Sequence, residues 1–170
     1  MSRELHVVTG AFGYSGRSIA QLLLGAGHRV RTLTNSPLRP HPFGDTIEVR
    51  GLDFRDPDRL ADSLDGADVL YNTYWVRFNH KDFSFKKAVE DTRILFSAAR
   101  QAGVKRVVHV SITNASEDSE FEYFRGKAIV KRTLRESGLS YAILRPAAFF
   151  AELARHQLAS DWTHTAHGLG

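Results

Sequence analysis

The sequence predicts an α/β fold in which helices cover both faces of a doubly wound parallel sheet. Along the 170-residue chain, short runs rich in β-branched and aromatic residues alternate with longer segments of helical period, as is typical of parallel sheets. Hydrophobic residues make up 42% of the chain and charged residues 25%, which excludes a collagen-like or disordered protein. We expect one domain with its own core.

Six runs have strand composition, and helical periodicity or helix-end signals mark the segments between them. The predicted strands are Leu5–Thr9, Arg29–Thr34, Thr46–Arg50, Val69–Asn72, Val107–Ser111 and Tyr141–Arg145. The predicted helices cover Ser15–Gly25, a short segment that starts at the Asp56-Pro57 cap and ends near Gly66, a long segment from Phe85 to Gly103, and a last one from about Phe121 to Ser137.

Composition disfavours several classes of function. The chain carries a net charge of +4 that is spread along its length, so we do not expect a nucleic-acid partner. No apolar run reaches the roughly 18 residues of a membrane span, and the first residues do not resemble a signal peptide. With no cysteine there is no disulfide or thiolate metal site, which fits a cytoplasmic location.

A glycine-rich loop joins the first predicted strand to the first helix. It reads G-x-x-G-x-x-G from Gly10 through Gly13 to Gly16. Such glycines permit a tight turn, bring backbone N–H groups close to a pyrophosphate and let the helix pack on the strand, while the helix N-terminus attracts the anion. The alternative is a plain connecting turn. The candidate cofactor-binding residues are Gly10, Phe12, Gly13, Tyr14, Ser15 and Gly16.

A tyrosine and a lysine lie four residues apart in the last predicted helix, at Tyr123 and Lys127. This spacing places the phenol and the ammonium on one helical face. A neighbouring cation favours the phenolate, so we expect Lys127 to lower the pKa of Tyr123 and make it a general acid or base. The alternative is an ordinary amphipathic edge.

Three motifs follow one another along the chain: the glycine loop, the hydroxyl residues after the fifth strand, and the Tyr123/Lys127 pair. In the presence and order of these motifs the chain resembles the short-chain dehydrogenase/reductase superfamily. The resemblance covers about residues 5 to 150 and is closest to the atypical and extended branches, which include epimerases, dehydratases and NmrA-like proteins. It implies a Rossmann fold and an NAD(P) cofactor. It also implies that Tyr123 shuttles a proton, that Lys127 binds the nicotinamide ribose, and that Thr113 or Ser111 bonds to the substrate oxygen. We favour Thr113, because Ser111 is predicted to lie within the strand.

The end of the second strand bears on the choice of cofactor. An acid there would bind an adenosine ribose and repel a phosphate, whereas this chain has Thr34, Asn35, Ser36 and, farther on, Arg39. These residues favour NADP over NAD, with Arg39 as a candidate partner of the 2′-phosphate. The alternative is that Arg39 is a solvated loop residue.

The resemblance adds further candidates around the cofactor. Asp53 resembles the acid that contacts the adenine amino group, or it forms a local turn or helix cap. Asn72 and Thr73 end the fourth strand beside the cofactor. Pro146 resembles a turn residue beside the nicotinamide, or it simply ends the sixth strand.

Two features depart from the family pattern. Tyr74 and Trp75 follow the fourth strand, where relatives have small residues, and they either pack in the core or shape the nicotinamide pocket. Relatives also continue past the sixth strand, so the substrate-binding region is expected to be truncated. We expect either a fragment or a reduced form whose exposed sheet edge is covered in a homo-oligomer.

Together these observations predict an NAD(P)-dependent oxidoreductase or epimerase/dehydratase that acts on a small-molecule substrate. Tyrosine- and lysine-assisted proton transfer would be coupled to hydride transfer. The alternative is a non-catalytic NAD(P)-binding sensor or assembly factor. The cofactor-binding domain is expected to span residues 1–155 and a tail residues 156–170. The spacing of Asp161, His164 and His167 in that tail fits no established metal motif, so no metal site is predicted.

Overall fold

A computed structural model describes residues 3–76 and 84–146 of the chain. Within these residues, six strands form one parallel sheet in the order β3-β2-β1-β4-β5-β6, which confirms the predicted fold class. The strands are β1 (Leu5–Thr9), β2 (Arg29–Thr34), β3 (Glu48–Gly51), β4 (Val69–Asn72), β5 (Arg106–Val110) and β6 (Tyr141–Leu144). The helices are α1 (Tyr14–Gly25), α2 (Pro57–Ser63), α3 (Phe85–Gln101) and α4 (Glu122–Glu136). The predicted tail of residues 156–170 lies outside the described residues.

Three predicted strands, β1, β2 and β4, have the bounds that the sequence indicated. The third begins two residues later than expected, because Thr46 ends a 3-10 turn and its hydroxyl donates to the carbonyl of Phe43 at 2.5 Å. The fifth strand runs from Arg106 to Val110, so Ser111 lies just beyond it rather than inside it. The sixth strand ends at Leu144, before Arg145.

Helix ends follow the local sequence signals. The carboxylate of Asp56 accepts a hydrogen bond from the backbone N–H of Arg59 at 3.0 Å, and Pro57 opens α2 as predicted. The Ser84 hydroxyl caps α3 in the same way, accepting from the N–H of Lys87 at 3.0 Å. Both caps satisfy backbone donors that have no partner inside the helix.

Two hydrophobic clusters lie on opposite faces of the sheet. Val7 and Val8 are adjacent in β1, so their side chains point to opposite faces, and each is fully buried in a different cluster. The Val7 cluster contains Leu60 of α2, Leu95 of α3 and Leu134 of α4. The Val8 cluster is covered by α1 through Ala20 and Leu23. Helices therefore cover both faces of the sheet.

Within residues 3–76 and 84–146, no helix combines the length and the apolar character that a membrane crossing requires.

Candidate cofactor cleft and active site

A cleft of about 1160 Å³ opens at the carboxyl ends of the central strands. The chain crosses the sheet from β3 at one edge to β4 beside β1, so the strand order reverses between β1 and β4. Ligands of open parallel sheets bind at such a reversal. The lining residues come from the loop after β1, the ends of β2, β3, β4 and β5, and from α2, α3 and α4.

The glycine loop forms the floor of this cleft. Gly10 has φ +67°, and its N–H donates to the carbonyl of Leu33 at 2.9 Å. The Gly13 N–H donates to the Gly10 carbonyl at 2.8 Å. A Cβ atom on Gly16 would lie 2.2 Å from the Gly10 carbonyl oxygen, so α1 can approach the loop only with glycine at this position.

The first turn of α1 is open toward the cleft. Its N-cap residue, Gly13, provides no side-chain cap, and no acidic residue lies in this first turn. Tyr14, Ser15 and Gly16 line the cleft. The first N–H groups of a helix have no intrahelical partner and carry partial positive charge. The structure therefore provides a place for an anionic group such as a pyrophosphate, and the missing Cβ atoms leave space for it.

Phe12, the remaining candidate of this loop, lies outside the cleft lining. Its side chain is buried, and its ring stacks on that of His41 with centroids 4.2 Å apart and also contacts Phe43. Phe12 therefore anchors the loop in the core beneath the site.

The structure places only some of the cofactor-binding candidates after β2 at the cleft. Thr34 and Asn35 line the cleft, whereas Ser36 and Arg39 are exposed and lie outside its lining. The Arg39 N–H donates to the Ser36 carbonyl at 3.1 Å, which closes a turn. The direction of this proline-rich loop could not be derived from its residues.

Two arginines that the sequence analysis did not select, Arg55 and Arg59, line this side of the cleft. Arg55 makes a two-pronged ion pair with Asp53, with nitrogen–oxygen distances of 2.9 and 2.8 Å. Hydrogen bonds from Arg55 lower the pKa of Asp53 to about 2. Asp53 lines the cleft and accepts a hydrogen bond from the Arg55 N–H at 3.1 Å, as the local-turn alternative predicts. Its contact with an adenine amino group stays a prediction. The available signal for the two arginines is their position in the chain, since Arg55 lies between β3 and α2 and Arg59 lies within α2.

The end of β4 is tied to β1 by a compact network. The Thr9 hydroxyl oxygen accepts from the N–H groups of Thr73 and Tyr74 at 2.8 and 3.1 Å, and the Thr73 hydroxyl donates to the Thr9 carbonyl at 2.5 Å. Thr73 lines the cleft. Asn72 is fully buried behind it, where its side-chain amide lies 3.2 Å from Nδ1 of His109. Asn72 therefore positions the strand end and does not face the cleft.

Of the four catalytic candidates, the structure brings Tyr123, Lys127 and Ser111 into the cleft lining. Thr113, the preferred hydroxyl candidate, is not among the lining residues. Because β5 ends at Val110, Ser111 is the first residue beyond the strand. It is 1% exposed, and its hydroxyl has no hydrogen-bond partner within residues 3–76 and 84–146. A buried hydroxyl without a partner is unfavourable, and a ligand oxygen in the cleft would satisfy it.

Lys127 is 4% exposed. Its Nζ lies 3.4 Å from the carbonyl oxygen of Val110 and 4.3 Å from the centroid of the Trp75 ring. Burial lowers the pKa of this amine to about 7. Burial also raises the pKa of Tyr123, which is opposite to the direction expected from a neighbouring cation. The activation of Tyr123 by Lys127 therefore stays a prediction.

The two aromatic residues after β4 both line the cleft. Trp75 meets the ring of Tyr123 edge-on at 6.1 Å, and a Cβ atom on Gly126 would lie 3.0 Å from the indole. The Tyr74 hydroxyl donates to the Asp91 carboxylate at 2.7 Å, and burial together with this contact raises its pKa. These residues thus both pack and shape the cleft wall. Pro146 is at the end of the described range, outside the lining.

The chain is similar to known proteins over most of its length. The model of a family described as NAD(P)H-binding matches residues 10–163. The NADH-ubiquinone oxidoreductase 40 kDa subunit of Neurospora crassa is 31% identical over 165 residues, which cover 90% of this chain and 43% of that protein. The photosystem II assembly factor Ycf39 of Cyanophora paradoxa is 28% identical over 149 residues, which cover 86% of this chain and 46% of that protein.

Among solved structures, the triphenylmethane reductase of Citrobacter sp. complexed with NADP(H) superposes with a TM-score of 0.70 at 24% identity. The match covers 85% of this chain and 50% of that chain, and at this identity it shows the fold alone. The chain thus spans about half the length of these relatives.

We expect Gly16→Ala to destabilise the protein by about 1–3 kcal/mol, because the new methyl group would force α1 away from the Gly10 carbonyl. Gly25→Ala is the matched control, since it adds a methyl group to the same helix where no atom lies within 4 Å. Urea unfolding measures both. Equal stability of the two variants would contradict the close approach.

We also expect the stability cost of Lys127 to depend on pH. An ordinary lysine amine has a pKa of 10.5, and that of Lys127 is about 7. Between these values the unfolded chain binds a proton that the folded chain does not, so the free energy of unfolding rises with pH. Lys127→Met should therefore be more stable than the wild type at pH 7 by several kcal/mol, at about 1.4 kcal/mol per pKa unit.

This advantage should shrink as the pH approaches about 10, near the pKa of an unperturbed lysine. Urea unfolding over this range measures it. Lys86→Met, which removes an exposed lysine of α3, controls for the loss of a lysine. A stability difference that stays constant with pH for Lys127→Met would contradict the lowered pKa.

Proposed function

Because this chain belongs to the family described as NAD(P)H-binding, we propose that it is the cofactor-binding part of an NADP-dependent enzyme of the extended short-chain dehydrogenase/reductase type. The proposed reaction is proton transfer coupled to hydride transfer on a small carbonyl or alcohol substrate. The observation that carries the proposal is the position of Ser111, Tyr123 and Lys127 in the same cleft as the glycine loop.

Each group in the cleft has a role in this proposal. The N-terminus of α1 and the glycine loop hold the pyrophosphate. The buried Ser111 hydroxyl donates to the substrate oxygen, and Tyr123 transfers the proton at that oxygen. When bound, the nicotinamide supplies the hydride. The Lys127 amine lies 3.4 Å from the Val110 carbonyl, close enough to the end of β5 to bind ribose hydroxyls next to Ser111.

The protonation states of Lys127 and Tyr123 support a proton relay between the protein and the substrate. The pKa of Lys127 is about 7, so near neutral pH this amine exists in both protonation states. An amine with this property can accept or return a proton that Tyr123 exchanges with the substrate. The raised pKa of Tyr123 keeps the phenol protonated, which suits donation of a proton to a carbonyl oxygen during reduction.

The residues around β2 and β3 favour NADP. No carboxylate follows Thr34 directly, and Asn35 lines the cleft together with Arg55 and Arg59. Guanidinium groups bind phosphate strongly. Arg55 is already paired with Asp53, so Arg59 is our choice for the 2′-phosphate in place of Arg39.

Calorimetric titration with NADPH and NADH tests this choice. We expect the wild type to prefer NADPH, and Arg59→Ala to weaken NADPH binding by about tenfold or more, the loss of one charge-assisted contact, while NADH binding is kept. Asn35→Asp should shift the preference toward NADH by charge repulsion. Arg39→Ala is the matched control and should change neither affinity. If Arg39→Ala weakened NADPH binding and Arg59→Ala did not, the assignment of Arg59 to the 2′-phosphate would be overturned. If the wild type bound neither cofactor, the proposed function would be overturned.

A second candidate function is supported by one of the relatives. The assembly factor named above is similar to this chain over 149 residues. A cofactor-binding sensor or assembly factor needs the glycine loop and no activated tyrosine. Such a protein would bind NADPH without turnover.

The Tyr123→Phe variant separates the two functions. In an enzyme it should lower turnover by at least about hundredfold, the usual contribution of a general acid, with NADPH affinity unchanged. Turnover is measured as NADPH consumption against a panel of aldehydes, ketones and quinones. Tyr141→Phe, at an exposed tyrosine of β6, is the control. Intact NADPH binding with no wild-type turnover, or equal turnover in both variants, would count against the catalytic role.

A further inference from the structure

We propose that Glu4, His6 and His28 form a binding site for a divalent transition metal ion, with Zn²⁺ as the best fit, at the amino end of β1. Each side chain offers one ligand atom, and these atoms all lie within 4.8 Å of one another. The cofactor cleft follows the carboxyl end of β1, so this site lies at the other end of the sheet and is separate from the proposed reaction.

Strand pairing brings the three residues together. Leu5 of β1 pairs with Arg29 of β2, so the residues just before them, Glu4 and His28, enter the sheet side by side. The Arg29 N–H donates to the Glu4 carbonyl at 3.1 Å, which holds the backbone of Glu4 next to His28. The cluster is therefore fixed by the backbone of two central strands.

Two of the ligand–ligand distances are close to those in the coordination shell of a small ion, and the third lies within 4.8 Å. Nε2 of His6 lies 3.3 Å from Oε2 of Glu4, and Nδ1 of His28 lies 3.9 Å from the same oxygen. Tetrahedral zinc has bonds of roughly 2.0–2.1 Å to nitrogen and oxygen, which places neighbouring ligand atoms about 3.3–3.4 Å apart. The first pair already has this separation, and the second reaches it with a side-chain movement of about half an ångström.

The surroundings of His6 provide a second observation. Its side chain is only 5% exposed, between the His28 ring at 4.2 Å and the Tyr71 ring at 5.8 Å. Its Nε2 atom is the ring nitrogen next to the Glu4 carboxylate, and its Nδ1 atom has no hydrogen-bond partner among the described residues. Leu5 and Val7, its neighbours in β1, are buried hydrophobic residues. Packing alone would favour a third aliphatic side chain at this position, because burial of an imidazole costs free energy.

The chemistry of the set selects the class of metal. Two imidazoles and one carboxylate suit Zn²⁺ and related transition metals, whereas Mg²⁺ and Ca²⁺ prefer oxygen ligands throughout. The side chains of Glu4 and His28 are 59% and 32% exposed, so an ion can enter from solvent and keep a water molecule as its fourth ligand. His6 then forms the floor of the site.

Calorimetric titration of the chelator-treated full chain with ZnCl₂ tests the proposal. We expect one site of defined stoichiometry, and Glu4→Gln and His28→Ala should each weaken Zn²⁺ binding by at least about tenfold. His41→Gln removes a histidine outside the cluster and should leave the affinity unchanged. Saturating Zn²⁺ should also raise the Tm of the wild type by about 5 °C or more, and that of the two cluster variants much less.

Several results would overturn the site. Zn²⁺ binding that survives both Glu4→Gln and His28→Ala resides elsewhere on the chain. Equal binding of Mg²⁺ under the same conditions would contradict the ligand set. Failure of the wild type to bind Zn²⁺ would leave the cluster as an ion pair and a ring contact alone. Because both substituted side chains are partly exposed, the variants should fold, and their Tm in chelator verifies this.

Discussion

The close approach of two backbone segments, at Gly16 and the Gly10 carbonyl, is the constraint on which the cofactor cleft depends. A Cβ atom at Gly16 would lie 2.2 Å from that oxygen, so any other residue would push α1 away from the end of β1. The approach aims the first turn of α1 at the cleft and leaves its N–H groups available to an anion. Phe12 holds the same loop from below by its stacking on His41. The glycines thus provide the space, and the aromatic pair provides the rigidity.

The parallel sheet divides the molecule chemically between its two ends. At the carboxyl ends of the strands, helix N-termini and arginines create a region suited to anions. At the amino end of β1, Glu4, His6 and His28 combine a carboxylate with two imidazoles, a set suited to a cation. The division follows from topology: in a parallel sheet covered by helices, every helix returns with its N-terminus at the carboxyl end of a strand. Positive helix-end charge therefore accumulates at one end of the sheet, and the other end is free of it.

Much of the fold could be predicted from the sequence because it depends on local signals. The alternation of strand and helix patterns gave the correct class, and the Asp56-Pro57 cap marked the start of α2. The family resemblance is confirmed by the match over residues 10–163. The residues that line the site were harder to predict, since a strand that ends one residue earlier or later brings a different side chain into the cleft. Ser111 enters the cleft and Thr113 does not, because β5 ends one residue earlier than its composition suggested.

Other features of the site depend on contacts between segments that are distant in the chain. Arg59 faces the cleft from α2, whereas Arg39 leaves it in a loop whose prolines give no direction. Glu4 and His28 meet only through the pairing of β1 with β2, and neither has a motif spacing that identifies a metal ligand. The periodicity of side chains in the sequence indicates which face of a strand or helix a residue occupies. It does not indicate which other strand lies beside that residue in the sheet.

Lys127 shows why residue type alone does not define a catalytic role. Its contact with the Trp75 ring favours the charged amine, while burial favours the neutral form and lowers the pKa to about 7. A spacing rule treats this lysine as a fixed cation that acts on Tyr123. In the structure the amine is itself the group that titrates near neutral pH, and the tyrosine is the group that stays protonated. Under the proposed function, a protonated phenol in the same cleft as an amine that titrates near neutral pH suits donation of a proton to a substrate oxygen better than a standing phenolate would.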